Sequence, residues 1–200
     1  MSNIISAQVS IKGTRPLLWH RFGPDALPLE KQERTGVAGH DPEEWKRTVL
    51  VTGDRHQLYI DGAYVFSCVR EGARYTKRGR GSLQVPVSAT LQVAESIILI
   101  DDRFLSDGFT TPPPTDPTAL VYLDVRGVRN PTTKARNVRY RIACSPGWSC
   151  AFVLQWDKTI VSRAEMEAVL IDSGRLCGIG NGRAIGFGRF SVEKFAVADA

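Results

Sequence analysis

A glycine-rich segment near the C-terminus constrains this chain more than any other feature. Residues 178–190 read GIGNGRAIGFGRF, with glycines at positions 178, 180, 182, 186 and 188. A glycine fixed inside a helix or strand costs about 0.5–1 kcal/mol relative to alanine. A helix cap at Gly174 and a β-bulge at Gly186 or Gly188 would explain two of the glycines at most. The segment therefore predicts a loop whose backbone is approached closely by another group.

The position of the glycines excludes the common nucleotide-binding loops. A GxGxxG fingerprint follows a strand and opens a helix, whereas these glycines follow a predicted helix and precede a predicted strand. The chain also contains no GKS or GKT sequence of a Walker loop. Backbone N–H groups of a glycine loop bind phosphate when no Cβ blocks the approach, so an anion such as phosphate is the expected ligand.

Hydrophobic periodicity predicts an alternation of strands and helices. We expect strands at 4–12, 56–60, 97–100, 120–128, 137–142, 150–156 and 187–197, and helices near 42–47, at 63–76 and at 163–171. Ser162 and Glu165 form a capping-box pattern before the last helix. Without its insertions this order is β-α-β-β-α-β, an α+β, ferredoxin-like (RRM-like) plan. The prediction is one domain over 1–200, with insertions at about 23–55 and 101–118.

The positive charge is concentrated in two stretches. Residues 70–80 hold five basic residues and one acid, residues 126–141 hold six basic residues and no acid, and the whole chain has a net charge of +5. Such asymmetry favours a polyanionic partner over a merely solvated surface, and the excess of arginine favours phosphate. The predicted nucleic-acid contacts in these two stretches are Arg70, Arg74, Lys77, Arg78, Arg80, Arg126, Arg129, Lys134, Arg136 and Arg139.

Two motifs resemble known proteins. GIGNGRAIGFG, written as glycine-hydrophobic-glycine, five residues and the same triplet again, resembles the glycine-rich motif of the repeat-associated (RAMP) superfamily of CRISPR proteins. GTRPLLWHRF near the N-terminus is similar to the opening of a group of phage- and prophage-encoded proteins that also end in Gly-Arg-Phe. The RAMP resemblance implies an RNA-recognition-like sheet and a glycine loop that touches the nucleic-acid backbone. On the matching positions it implies nucleic-acid contacts at Gly178, Gly180, Gly186 and Gly188, with Arg183 and Arg189 beside them. It covers the two chain ends and the element order, and effector backbone subunits are usually longer than this chain.

His20 is the one candidate for catalysis. The nuclease branch of the superfamily often uses an early histidine in metal-independent RNA cleavage, and an imidazole could move the 2′-OH proton. The alternative is a structural histidine that donates a hydrogen bond at the end of the first strand or packs with Trp19. His40 and His56 have no acidic cluster around them, so no metal is expected. The four cysteines form no CxxC pair and are expected to be reduced thiols.

The sequence therefore predicts a non-catalytic, RAMP-type protein that contacts the phosphates of single-stranded RNA or DNA. It would need no cofactor and would serve as a subunit of a CRISPR-like or phage nucleoprotein assembly, by self-assembly or with other subunits. The alternatives are a metal-independent endoribonuclease using His20 and a phage assembly or inhibitor protein with an acidic protein partner. No apolar run is long enough for a membrane span and no signal peptide is visible, so a cytoplasmic location is expected.

Overall fold

A computed structural model describes residues 3–23, 41–105, 109–129, 134 and 136–198. The chain divides into two compact units. The first unit comprises residues 1–17, 59–102 and 146–200, and the second comprises 18–58 and 103–145. The insertions predicted at about 23–55 and 101–118 fall almost wholly within the second unit. Parts of both, residues 24–40 and 106–108, lie outside the described residues, and the single-domain organisation stays a prediction.

The secondary structure follows the predicted order with additions. The strands are β1 (Ile4–Gly13), β2 (Leu17–Leu18), β3 (Gln57–Asp61), β4 (Lys77–Arg78), β5 (Gly81–Ser82), β6 (Gln92–Val93), β7 (Ile97–Phe104), β8 (Val121–Arg129), β9 (Arg136–Cys144), β10 (Ser149–Asp157) and β11 (Phe190–Ala198). The α-helices are α1 (Glu44–Thr48), α2 (Gly62–Gly72), α3 (Gln84–Thr90) and α4 (Arg163–Asp172). Across the described ranges, no helix has the length and apolar character of a membrane span.

An antiparallel four-stranded sheet organises the first unit. Its strands lie in the order β11-β1-β10-β6. The β1 residues Ile5, Ala7, Val9 and Ile11 are buried while their neighbours are more exposed. This alternation is typical of a sheet with one covered face. The helices α2 and α4 contribute further buried apolar side chains to the first unit.

Three elements differ from the predicted pattern. The helix predicted over 63–76 ends at Gly72, and its basic end instead enters the small β4–β5 hairpin. Helix α3 was missed because Pro86 lies in its first turn and its apolar spacing is irregular, although proline is tolerated there. Strand β6 has two residues, too few to give a pattern, yet it occupies the edge of the sheet beside β10.

The predicted hairpin at 120–128 and 137–142 is present as β8 and β9, and both lie in the second unit. The two strands pair antiparallel from Val121↔Cys144 to Arg129↔Arg136 and belong to a three-stranded sheet of order β2-β9-β8. The short helix predicted near 42–47 is α1, which packs against β9. Trp19 and Trp45 are fully buried in this unit.

Candidate nucleic-acid interface

The glycine segment begins where α4 gives way to a wider turn. The Ser162–Glu165 capping box predicted for α4 is confirmed. After Asp172 the chain continues through a π-helical turn, Ser173–Cys177, that ends at Gly178, whose φ is +80°. The alternative of a helix cap at Gly174 is therefore replaced by a cap at Gly178. Gly174 is needed for another reason, because a Cβ there would lie 2.4 Å from the Phe190 carbonyl oxygen.

All five glycines of the segment have positive φ, a conformation that side chains with a Cβ seldom adopt. Two of them also pack against the loop itself. A Cβ on Gly188 would lie 1.8 Å from the Ile179 carbonyl oxygen, and one on Gly178 would lie 2.7 Å from that of Phe187. A Cβ on Gly186 would point into open space. The alternative of a β-bulge at Gly186 or Gly188 is not found, because both residues precede β11; the β1–β11 register shifts between Ser10 and Ile11 instead.

Several loop amides are already used within the chain. The N–H groups of Ile185 and Phe187 donate to the Gly182 carbonyl, that of Gly186 to Arg183, and that of Gly188 to the Pro16 carbonyl at 2.7 Å. These four amides are therefore satisfied without a phosphate. The expected close approach at the glycines is largely an approach of the loop to itself.

Beside this loop the first unit contains a cleft, here named the arginine cleft. Its volume is about 590 Å³, and Arg15, Arg175 and Arg189 line it with Gly186, Phe187 and Phe190. No carboxylate is among the described residues that line it. Arg15 and Arg175 are exposed, and Arg189 is half-buried. The sequence predicted Arg189 but missed Arg15 and Arg175, since single arginines outside the two basic stretches carry no charge signal.

Some of the predicted cations already have carboxylate partners. Arg78 donates from Nε and Nη2 to the two oxygens of Glu165 at 2.7 and 2.6 Å. These bonds, with those from Ser162, outweigh burial and lower the pKa of Glu165 to about 2. Arg183 Nη1 donates to Glu71 Oε2 at 2.9 Å, which places a predicted loop contact against an acid at the end of α2.

On the β8–β9 hairpin, two predicted contacts are also paired. Arg126 binds Asp124 on its own strand, and Arg141 on β9 donates to the same carboxylate at 3.1 Å. Arg139 Nη1 donates to Glu44 Oε1 at 2.6 Å. Because Asp124 and Glu44 lie outside residues 126–141, the charge of that stretch overstates what is available to a polyanion.

The other predicted cations are exposed. They are Arg70, Arg74, Lys77 and Arg80 in the first unit and Arg129, Lys134 and Arg136 in the second. Among the described residues, no carboxylate forms an ion pair with Arg70, Arg74, Lys77, Arg80, Arg129 or Arg136. The first unit therefore contains four exposed, predicted cations in addition to the arginine cleft.

His20 is held by an acid that the sequence did not indicate. Its Nε2 lies 3.1 Å from Glu44 Oε1, and Glu44 Oε2 accepts from the Tyr140 amide at 3.1 Å. Burial raises the pKa of Glu44, but the bonds from His20 and the Tyr140 amide, with the Arg139 charge, outweigh it and lower the pKa to about 2. The partner was missed because it follows a long polar stretch and is 24 positions away.

Metal and thiol chemistry find little support in the described part of the chain. No group of three histidine, cysteine or acidic side chains is placed to hold a metal ion there. The four cysteines are buried free thiols. Burial raises the pKa of Cys144 to about 12, so that thiol is a poor nucleophile at neutral pH.

Comparison with known proteins gives similarities at the level of structure only. No family model matches the chain, and no curated protein matches it. In a cryo-EM structure of the type III-B Cmr-beta bound to cognate target RNA, one chain is similar to this one; the alignment covers 98% of this chain and 61% of that chain, at 13% identity and a TM-score of 0.49. A type IV-B CRISPR complex aligns over 98% and 91%, at 15% identity and a TM-score of 0.47. At these TM-scores the likenesses assign neither a family nor an activity.

Proposed function

We propose that this chain is a non-catalytic nucleic-acid-binding protein that holds the phosphates of single-stranded RNA or DNA in the arginine cleft. The observation that carries this proposal is a cavity lined by three arginines and, among its described residues, by no carboxylate. Guanidinium groups bind phosphate oxygens in pairs and keep their charge at every physiological pH. The volume of about 590 Å³ also lies within the range of small-ligand sites.

Arg189 gives this proposal an energetic argument. Its Nη1 atom is buried and has no hydrogen-bond partner among the residues that the structure describes. An unsatisfied buried donor costs about 1–3 kcal/mol. A rotation of the side chain towards the cleft would let a phosphate oxygen accept this bond and remove the penalty. The ligand would then stabilise the glycine loop through the residue that directly follows Gly188.

The exposed cations of the first unit extend the proposed surface. Arg70, Arg74, Lys77 and Arg80 offer further phosphate contacts along a strand. Tyr75, which lies among them, is 47% exposed and offers a ring on which a base can stack. Binding of this kind depends on backbone charge and on stacking, so it is expected to tolerate many sequences.

The same proposal includes the fold type and setting that the motifs imply. One set of elements follows the β-α-β-β-α-β order of a ferredoxin-like, RAMP-type core: β1, α2, β6, β10, α4 and β11. The sheet order β11-β1-β10-β6 supports that interpretation. We propose a single such domain with insertions, acting in the cytoplasm as a subunit of a CRISPR-like or phage nucleoprotein assembly.

The test is binding of labelled single-stranded RNA and DNA, measured by fluorescence anisotropy after the absorbance ratio at 260 and 280 nm has shown whether nucleic acid co-purifies. The Arg15→Ala, Arg175→Ala double variant should bind far more weakly than wild type. Lys158→Ala, which removes an exposed cation of the first unit outside the cleft, is the matched control and should bind as wild type does. Equal binding by the double variant would overturn the assignment of the cleft.

A second candidate, a metal-independent endoribonuclease, is favoured by the contact between His20 and Glu44. An ionised Glu44 fixes the proton of a neutral imidazole on Nε2, which leaves Nδ1 to accept a proton. Cleavage of RNA in EDTA that leaves a 2′,3′-cyclic phosphate and slows about 10²–10⁴-fold in His20→Ala would establish this activity. No cutting is expected, because Glu44 also accepts from Arg139 and from the Tyr140 amide, two donors on β9 that hold α1 against that strand.

A further inference from the structure

Two arginines of the cleft, Arg15 and Arg189, lie near opposite ends of the chain, yet their backbones are joined by hydrogen bonds. The amides of Thr14 and Arg15 both donate to the Arg189 carbonyl, at 2.8 and 3.3 Å. The indole of the buried Trp148 donates from Nε1 to the Arg15 carbonyl at 2.8 Å. Both side chains therefore start from one fixed junction, and a ligand between them would need little further ordering of the backbone.

The third arginine, Arg175, is brought to the same cleft by its neighbour Gly174. A Cβ on Gly174 would lie 2.4 Å from the carbonyl oxygen of Phe190, so the turn that carries Arg175 packs directly on the first residue of β11. Phe190 in turn directly follows Arg189. The fold thus gathers three like charges around one cavity, and a ligand of high negative charge relieves their mutual repulsion.

The charge of the cleft exceeds what one internal phosphate of a strand can balance. Arginines are the only charged side chains among the described residues that line it, and they bring three positive charges. A phosphodiester within a strand carries one negative charge. A phosphomonoester carries about −1.5 to −2 at pH 7. The volume of about 590 Å³ is that of one small ligand, so a strand cannot crowd three nucleotides into it.

The hydrogen-bond donors favour the same kind of phosphate. A terminal phosphate offers three strong acceptor oxygens, one for each guanidinium fork, whereas a phosphodiester has only two non-bridging oxygens. With Arg15 and Arg175 on two oxygens, the Arg189 fork, turned towards the cleft, would give its unpartnered Nη1 atom the third. A phosphodiester would leave one of the three forks without such an oxygen.

We propose that the arginine cleft selects the terminal phosphate of a nucleotide, as a monoester or a polyphosphate, over the internal phosphodiesters of a strand. Ile185 lines the cleft and is 65% exposed, and the sugar or base next to the phosphate would cover it. The phosphorylated end of a single strand and a free nucleotide both supply this chemistry. The inference rests on the proposed function in placing phosphate in this cleft, and it deepens that function by naming which phosphate is bound.

The experiment is fluorescence anisotropy on one single strand that is labelled at an internal base. The strand is prepared with hydroxyl groups at both ends, with a 5′-phosphate and with a 3′-phosphate, and EDTA keeps divalent cations from shielding the phosphates. With wild type, a phosphorylated form should bind about tenfold more tightly than the hydroxyl form, because the added negative charge faces three arginines. Unlabelled AMP and ATP are added as competitors, and calorimetry measures the binding of ATP directly.

The competitors distinguish the two sources of the phosphate, and the variants locate it. Competition by AMP or ATP identifies a free nucleotide as the ligand, whereas a preference for phosphorylated strands without such competition identifies the strand end. In the Arg15→Ala, Arg175→Ala variant, both the preference and the binding of ATP should disappear. Lys158→Ala, outside the cleft, is the matched control and should keep them. Thermal unfolding of both variants shows whether they are folded.

Equal binding of hydroxyl and phosphorylated strands by wild type, with no binding of ATP, would overturn the inference. If that equal binding is still lost in the cleft variant, the proposed function stands without it. A preference for terminal phosphate that survives in the folded cleft variant would also overturn the inference. If no strand binds, the proposed function fails, and ATP decides alone: binding that the cleft variant loses supports the inference, and no binding overturns it.

Discussion

The arginine cleft and the β8–β9 hairpin contain the same charged side chain in opposite electrostatic settings. In the cleft, Arg15, Arg175 and Arg189 surround a cavity without a described carboxylate. On the hairpin, Arg126 and Arg139 are held by Asp124 and Glu44. The hairpin belongs to the stretch with the highest local charge in the sequence, yet two of its predicted contacts are already neutralised. Whether an arginine can bind a polyanion depends on the carboxylates that the fold places beside it more than on the number of basic residues near it in the sequence.

The largest effect is expected from removing the acid at the centre of the hairpin. Asp124 is buried, and Asp124→Ala leaves Arg141, also buried, without this carboxylate. Breaking a buried ion pair by removing one partner costs about 3–5 kcal/mol. We expect a loss of this size in the free energy of unfolding, measured with urea. A loss below that of Glu71→Ala, which removes the exposed partner of Arg183, would show that Asp124 does not organise the hairpin.

On the side of the cleft, two neighbouring glycines should differ. Gly188→Ala places a Cβ against the Ile179 carbonyl and should cost about 3 kcal/mol or more, since backbone must move. In Gly186→Ala the new Cβ points into open space. The free energy of unfolding should fall only by the cost of holding alanine in the left-handed conformation, about 1–2 kcal/mol. Urea unfolding of both variants checks the difference. Equal losses would mean that the loop does not close on itself as described.

The loss of stability at acid pH tests the contacts of Glu44 with His20, Arg139 and the Tyr140 amide. The pKa of Glu44 is about 2 in the folded protein, against the ordinary value of 4.5 that applies to the unfolded chain. The ionised carboxylate therefore stabilises the fold at pH values above 4.5. That stabilisation, about 2–3 kcal/mol, should disappear as the pH falls from 4.5 towards 2. Glu44→Gln should flatten this part of the curve, measured by urea unfolding at each pH. An unchanged slope would contradict the pairing with His20 and Arg139.

The smallest effect compares two exposed arginines of the first unit. Arg78 is held by Glu165, whereas Arg74 has no ion-pair partner among the described residues. Arg74→Ala should reduce the log–log dependence of binding on salt by about 0.7, the value for one phosphate contact on a single strand. Arg78→Ala should leave the slope unchanged and lower the free energy of unfolding only slightly, because the pair is surface-exposed and screened by solvent. Equal changes in slope would show that phosphate displaces Glu165.

The sequence predicted local features well and distant pairings poorly. The capping box of α4, the strands β8, β9 and β10 and the amphipathic part of α2 were predicted because periodicity and capping act within a few residues. The neutralisation of Arg139 was not, because Glu44 lies 95 residues away in the chain. The arginine cleft joins residues near 15, 175 and 189, and no pattern within one segment reports such a cavity. The glycine loop was predicted, but its closure on itself depends on Ile179 meeting Gly188.

The salt dependence of binding to a labelled single strand tests the central claim most directly, in three proteins: wild type, Arg15→Ala with Arg175→Ala, and Arg126→Ala with Arg139→Ala. Asp124 keeps Arg141 in the hairpin variant, and Glu44 keeps His20 and the Tyr140 amide, so thermal unfolding should show that it remains folded. The cleft variant should lose about 1.4 from the log–log slope, two contacts at about 0.7 each, while the hairpin variant keeps the wild-type slope. A loss of slope in the hairpin variant, with the cleft variant unchanged, would contradict the account.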